Sequence, residues 1–165
     1  MIFNERYTVL VNKARKDKAL NRKFLDKLKK LKPANLDSQC SKLHDEVFQQ
    51  IDCLQCGNCC AIAGPRLLGK DIDRMAKGMK LRPAEFTTTY VRTDEDGDYV
   101  FKRMPCPMLK EDNYCCIYND RPNACREFPH TNQSKMHNKL EITFQNTMIC
   151  PAVALVVEGL RKIYL

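Results

Sequence analysis

Apolar positions along residues 4–32 recur at helical intervals. Tyr7, Leu10, Val11 and Ala14 form one stripe, and Leu20, Phe24, Leu28 and Leu31 form another. The pattern predicts helix with a break near the middle, ended by Pro33. Leu36, Cys40, Leu43, Val47 and Ile51 then repeat at steps of three and four, which predicts a second helix. Cys40 lies on that stripe and reads as a buried apolar residue, whereas His44 lies off it and is expected in solvent. A dense run of cysteine at 53–60 and the loop "AGPRLLGKD" interrupt the helical pattern.

Beyond that loop, Asp71 can cap a short helix carrying Ile72, Met75 and Met79. Pro83 suits the first turn of another, with Phe86 and Tyr90 one turn apart. Asp96-Gly97 predicts a turn feeding a short strand through Tyr99 and Phe101. Residues 106–125 are rich in loop residues and cysteine. "KLEITFQ" alternates Leu140, Ile142 and Phe144, which predicts one more strand. Cys150 precedes Pro151, where an apolar C-terminal helix begins that ends near Ile163. The expected class is α+β: a mostly helical single domain with a cysteine-rich loop core and a few short strands. Residues 1–52 read as basic amphipathic helices and 53–165 as a metal-binding domain, the two forming one compact unit.

Composition changes this picture at two points. The formal charge of +8 is not spread over the chain: residues 1–32 hold 11 Lys and Arg against 3 Asp and Glu, leaving 17 of each elsewhere. The basic character is therefore one segment, either the solvated face of an amphipathic helix or a contact for a protein partner or, less readily, nucleic acid. The second point is cysteine, ten in 165 residues. Charges are scattered from Glu5 onward with no long apolar stretch among them, unlike a secretory signal. The longest apolar run, "PAVALVV", is far shorter than the roughly 20 residues of a membrane span. A cytoplasmic protein without a membrane segment is expected, and in a reducing compartment clustered cysteine points to metal before disulfides.

Cys53, Cys56, Cys59 and Cys60 spell C-x2-C-x2-C-C; Cys106, Cys115 with Cys116 beside it, Cys125 and Cys150 follow singly. Two thiolates separated by two residues can face one ion, and zinc ribbons use a pair of such knuckles. Here only one side has that spacing. Three cysteines at successive steps of three resemble the iron–sulfur run whose fourth ligand comes from afar and precedes Pro, and both Cys106 and Cys150 precede Pro. Eight thiolates exceed the four that one mononuclear site uses, so there are two sites or some cysteines are bystanders. Structural zinc stays open beside an iron–sulfur cluster. No phosphate-binding loop, dinucleotide fingerprint, H-E-x-x-H or zinc-deaminase signature is present.

"CLQCGNCC", "CPMLKEDNYCCIYNDRPNACREFP" and the "CP" before the last helix resemble the YkgJ-like cysteine-cluster family, over about residues 53–160. The resemblance implies zinc or iron chelation by Cys53, Cys56, Cys59, Cys60, Cys106, Cys115, Cys125 and Cys150. Cys116 departs from the family's pattern and is a spare ligand or a bystander. Pro122 is expected to start a short helix presenting Cys125. Arg121 and Arg126 are expected either to serve the sulfurs by hydrogen bonds and charge or to form surface ion pairs. His130 is a further ligand candidate, His137 a solvated loop residue and Tyr118 a packing residue. Three functional readings follow: a metal-binding protein in redox, sensing or assembly work; an enzyme using the cluster, as in methyl transfer; and a nucleic-acid or acidic-partner binder stapled by zinc.

Overall fold

A computed structural model describes residues 4–165; residues 1–3, the start of the basic segment, lie outside it. The described chain is mostly helical with a few short strands, the class the sequence predicts; they form one two-stranded antiparallel sheet whose first strand, Val91–Thr93, begins within a stretch read from sequence as helix. It forms two compact units, one of residues 4–56 with Pro129–Leu165, the other Gly57–Phe128.

The first unit begins with α1 (Glu5–Lys16), capped where the Asn4 side chain accepts the Tyr7 amide at 3.3 Å. Glu5 in its first turn and Lys13, Arg15 and Lys16 in its last complement the helix dipole. Helix α2 (Lys18–Leu31) follows at once and stops where Lys32 turns left-handed at φ 45° before Pro33. The break in the middle is thus Asp17. The apolar stripe of α2 differs from expectation: Leu20 and Leu31 are 47% and 58% exposed, while Asn21, Phe24, Leu25 and Leu28 are buried. Positions 21, 24, 25 and 28 also satisfy helical spacing, and polar Asn21 accepts a hydrogen bond from Arg161 at 3.1 Å. A hydrophobicity pattern cannot see a satisfied buried amide.

Helix α3 (Leu36–Phe48) buries Leu36, Cys40 and Val47. His44 is half-buried rather than solvated: its ring sits 4.5 Å from that of Phe48 and its Nδ1 2.8 Å from the Thr131 hydroxyl. Burial holds its pKa below the usual histidine value. A single turn, α4 (Cys53–Cys56), closes this stretch.

The second unit runs through α5 (Asn58–Ile62), α6 (Gly69–Gly78), α7 (Pro83–Tyr90), β1 (Val91–Thr93), β2 (Tyr99–Phe101) and α8 (Asn123–Glu127). The strands pair with Val91 opposite Phe101 and Thr93 opposite Tyr99. Gly97, at φ +83°, supplies the left-handed turn residue between them. Leu67, Ile72, Met75, Ala76, Phe86, Val91, Phe101, Met108 and Ile117 make its core, with Cys106 and Cys115 packed at the margin.

The first unit is completed by α9 (Leu140–Thr147) and α10 (Pro151–Tyr164). "KLEITFQ" is therefore helix, not the strand its alternation predicts. Leu140, Thr143, Phe144 and Thr147 are buried at steps of three and four, and Ile142 is exposed. In so short a run both periods fit, and the helical one coincides with the buried face. Helix α10 buries Ala152, Val153, Val156, Val157 and Leu160. A Cβ on Gly159 would lie 2.6 Å from Leu43 Cδ2, so a side chain there would have to displace Leu43 from α10. Among the described residues no single helix is long and apolar enough to cross a membrane.

Candidate metal centre

Cys53 and Cys56 stand one helical turn apart on α4, the spacing that puts two side chains on the same face. Asp52 organises that turn: its carboxylate accepts the Leu54 amide at 2.9 Å and its carbonyl accepts the Cys56 amide at 3.1 Å. The Asp52 amide in turn donates to the Tyr7 hydroxyl at 3.0 Å. Cys150 is buried at the start of α10, with its amide on the Asn146 carbonyl at 2.8 Å. Burial pushes the Cys150 thiol up to about 12, and the charges of Cys53 and Cys56 push the same way. These three thiols therefore lie within electrostatic reach of one another, all in the first unit.

The second unit gathers another set. Gly57, left-handed at φ +58°, precedes the turn of α5 that carries Cys59 and Cys60; a Cβ there would lie 3.1 Å from Asn113. The Cys60 carbonyl accepts the Cys106 amide at 2.7 Å, and the Cys106 carbonyl accepts the Leu109 amide at 3.0 Å. Leu109 then bridges to Cys115 in antiparallel fashion. Backbone bonds thus join the segments bearing Cys60, Cys106 and Cys115. Cys125 sits on α8 beyond Pro122, the expected helix start.

Electrostatics extends the set to Cys125. Burial drives Cys125 up to about 12, and the charges of Cys60, Cys106 and Cys115 add to it. Cys106 is likewise pushed to about 12 by burial, then by Cys60, Cys115 and Cys116. Cys115 is raised by burial and by Cys60 and Cys116. Cys60 moves the other way, down to about 7, because the Cys59 side chain hydrogen-bonds its sulfur. A group of thiols that repel one another's ionised forms is chemically suited to a cation, whose charge removes that repulsion. Among the described residues, no group of three or more His, Cys, Asp or Glu is arranged to hold a metal ion. The thiols are grouped without being closed on one point.

The basic residues of the motif bind backbone first. Arg121 Nη1 donates to the Tyr118 carbonyl at 2.7 Å, with its guanidinium 3.9 Å above the Tyr118 ring. Its charge favours the ionised forms of Cys115 and Cys125, one of the two expected roles. Arg126 donates to the carbonyls of Arg121 and Asn119, at 3.1 and 2.7 Å. Both arginines thus bind backbone carbonyls of the loop that precedes α8. His130, at φ 64°, has its Nδ1 3.1 Å from the Gln133 amide nitrogen, and His137 is half-buried rather than free in solvent. Cys40 is fully buried, and burial raises its thiol to about 12. It is an apolar filler, as its stripe position predicts. Cys116 is exposed, 3.9 Å from the Met108 sulfur.

Sequence reasoning finds only part of what Asp71 does: it caps α6 from the first turn by accepting the Leu68 amide, and it is also only 1% exposed and holds two segments together. Its carboxylate accepts from the Leu68 amide at 2.9 Å, the Asn123 amide at 3.1 Å and Arg74 at 2.7 Å. Arg74 also donates to the Arg121 carbonyl at 3.0 Å. Burial disfavours the carboxylate, but these donors outweigh it and hold the pKa below the ordinary value. The clamp fixes the first turn of α8, and with it the backbone that carries Cys125.

The sequence profile of the CxxCxxCC family, described as "Putative zinc- or iron-chelating domain", matches residues 52–150. No curated protein and no solved structure matches the chain.

Proposed function

The chain belongs to the CxxCxxCC family, and from that premise we propose that its grouped thiols hold an iron–sulfur cluster of the 4Fe–4S type. The observation that carries this reading is the gathering of the segments bearing Cys60, Cys106 and Cys115 by backbone bonds within one compact unit that also contains Cys125. Four thiolates are what such a cluster takes from a protein, and the run at 53–60 with distant Cys-Pro pairs has the grammar of an iron–sulfur site. The ligand set is drawn from Cys53, Cys56, Cys59, Cys60, Cys106, Cys115, Cys125 and Cys150, in a cytoplasmic protein with a redox, sensing or assembly role.

When bound, the cluster supplies one-electron chemistry. The protein's own part is to bury the sulfurs, to orient them through backbone bonds, and to set Arg121 charge against the thiolates. Protein purified without oxygen should be brown, with broad sulfur-to-iron absorption in the visible and iron matched by acid-labile sulfide. A colourless preparation that holds zinc alone would replace the cluster with a structural zinc site.

A further inference from the structure

The cations of the basic segment divide into two kinds. Some are bound within the chain: Arg6 by Gln50, Lys13 by Glu158, Arg15 by the Met148 carbonyl and Arg22 by Glu141, at 2.6–3.0 Å. Lys23, Lys27 and Lys30 are exposed on α2 and form no ion pair or side-chain hydrogen bond among the described residues. At steps of four and three they share the face of α2 turned away from buried Phe24, Leu25 and Leu28. The acid on that face, Asp26, lies 3.9 Å from Arg22. Like charges at this spacing repel one another. Helix α2 also opens on Lys18 with no acid in its first turn, against its dipole, whereas α1 follows the dipole at both ends. Charge kept at a cost to local stability marks a surface retained for another purpose.

Exposed Leu20 and Leu31 flank these lysines. Three helical turns separate the two leucines, so they stand on one edge of α2, roughly 16 Å apart. Leu20, Lys23, Lys27 and Lys30 step by three, four and three, the spacing of a seam between two helices. We propose that this ridge of α2 docks an acidic amphipathic helix of a protein partner, with carboxylates against Lys23, Lys27 and Lys30 and apolar side chains against Leu20 and Leu31. The lysines steer and orient the partner, and the leucines supply the apolar surface that leaves water on docking. Nucleic acid fits the ridge less well. Phosphates gain nothing from leucine, no aromatic ring stands there for base stacking, and Arg6, Arg15 and Arg22 are engaged within the chain. A membrane surface takes a helix by a broad apolar face, and that face of α2 is buried in its own core. The ridge lies on one helix of the first unit and needs no metal, so its failure leaves the chelating role untouched.

Fluorescence anisotropy of a labelled helical peptide with Glu and Leu at heptad spacing tests this on the full-length protein. The peptide should bind, and less tightly as salt rises. The combined variant Lys23→Glu, Lys27→Glu, Lys30→Glu should weaken binding by about a hundredfold, and the same three positions changed to Gln by about tenfold. The Gln variant decides if the Glu variant fails to fold by circular dichroism. Leu20→Ala with Leu31→Ala should weaken binding by about tenfold at high salt as well as low, because apolar contact is not screened. Wild-type protein that leaves the peptide free overturns the proposal, as does a folded lysine variant that still holds it. Tighter binding to a single-stranded oligonucleotide, or to vesicles of phosphatidylcholine and phosphatidylserine, overturns it in favour of that partner.

Discussion

The two units of this chain are built on different principles. The unit of residues 4–56 and Pro129–Leu165 is a set of long amphipathic helices, with α10 burying five consecutive-turn residues from Ala152 to Leu160. Its shape follows from apolar burial at about 25 cal/mol per Å². Gly57–Phe128 has shorter helices, one small sheet and long connections, and thiols line the margin of its nine-residue core. One unit is held by surface removed from water, the other in good part by a few specific bonds.

The largest expected effect separates them directly. Removing metal should weaken Gly57–Phe128 on the order of 10 kcal/mol, the scale of structural metal sites. Hydrogen exchange would report this as lost protection for amides such as Cys116 and Leu109, with the middle turns of α10, around Val156 and Leu160, unchanged. Equal loss in both units would erase the contrast.

Apolar truncation comes next. Leu160→Ala should cost about 2–5 kcal/mol by denaturant unfolding, whether or not metal is present. A cost that vanishes on demetallation would mean that α10 depends on the thiols after all. Asp71→Ala should cost about 2–3 kcal/mol, because three donors lose their acceptor. Its folded carboxyl pKa is depressed, so its contribution is fully present above the ordinary aspartate value and fades as pH falls through the folded one. The wild-type stability profile should therefore drop on the acid side, and the variant's drop should be smaller by that share. Gly159→Ala, forced against Leu43, should cost about 1–3 kcal/mol. Smallest is the exposed Lys13–Glu158 pair at 2.9 Å, whose double-mutant cycle should return less than about 1 kcal/mol.

What was legible in the sequence follows the same division. In α1, α3 and α10 the apolar spacing and the Pro signals locate the helices within about three residues. The failures there are local: "KLEITFQ" fits both periods, and the face of α2 is turned by buried Asn21. In Gly57–Phe128 the cysteine spacing and the family motif point to the chemistry without revealing the grouping of the thiols. That grouping comes from backbone bonds between distant segments, such as Cys106 to Cys60, which no spacing encodes. The Asp71 clamp is invisible for the same reason: Asn123, which Asp71 accepts from, and Arg121, which Arg74 donates to, lie some fifty residues away.

The central claim is that the grouped thiols are metal ligands, and metal content per folded chain tests it most directly. Protein purified without oxygen should carry bound iron, or zinc, and Cys106→Ser with Cys125→Ser should lower that content while α10 stays folded. A native, folded chain free of both metals, or one whose metal survives loss of these cysteines, would contradict it.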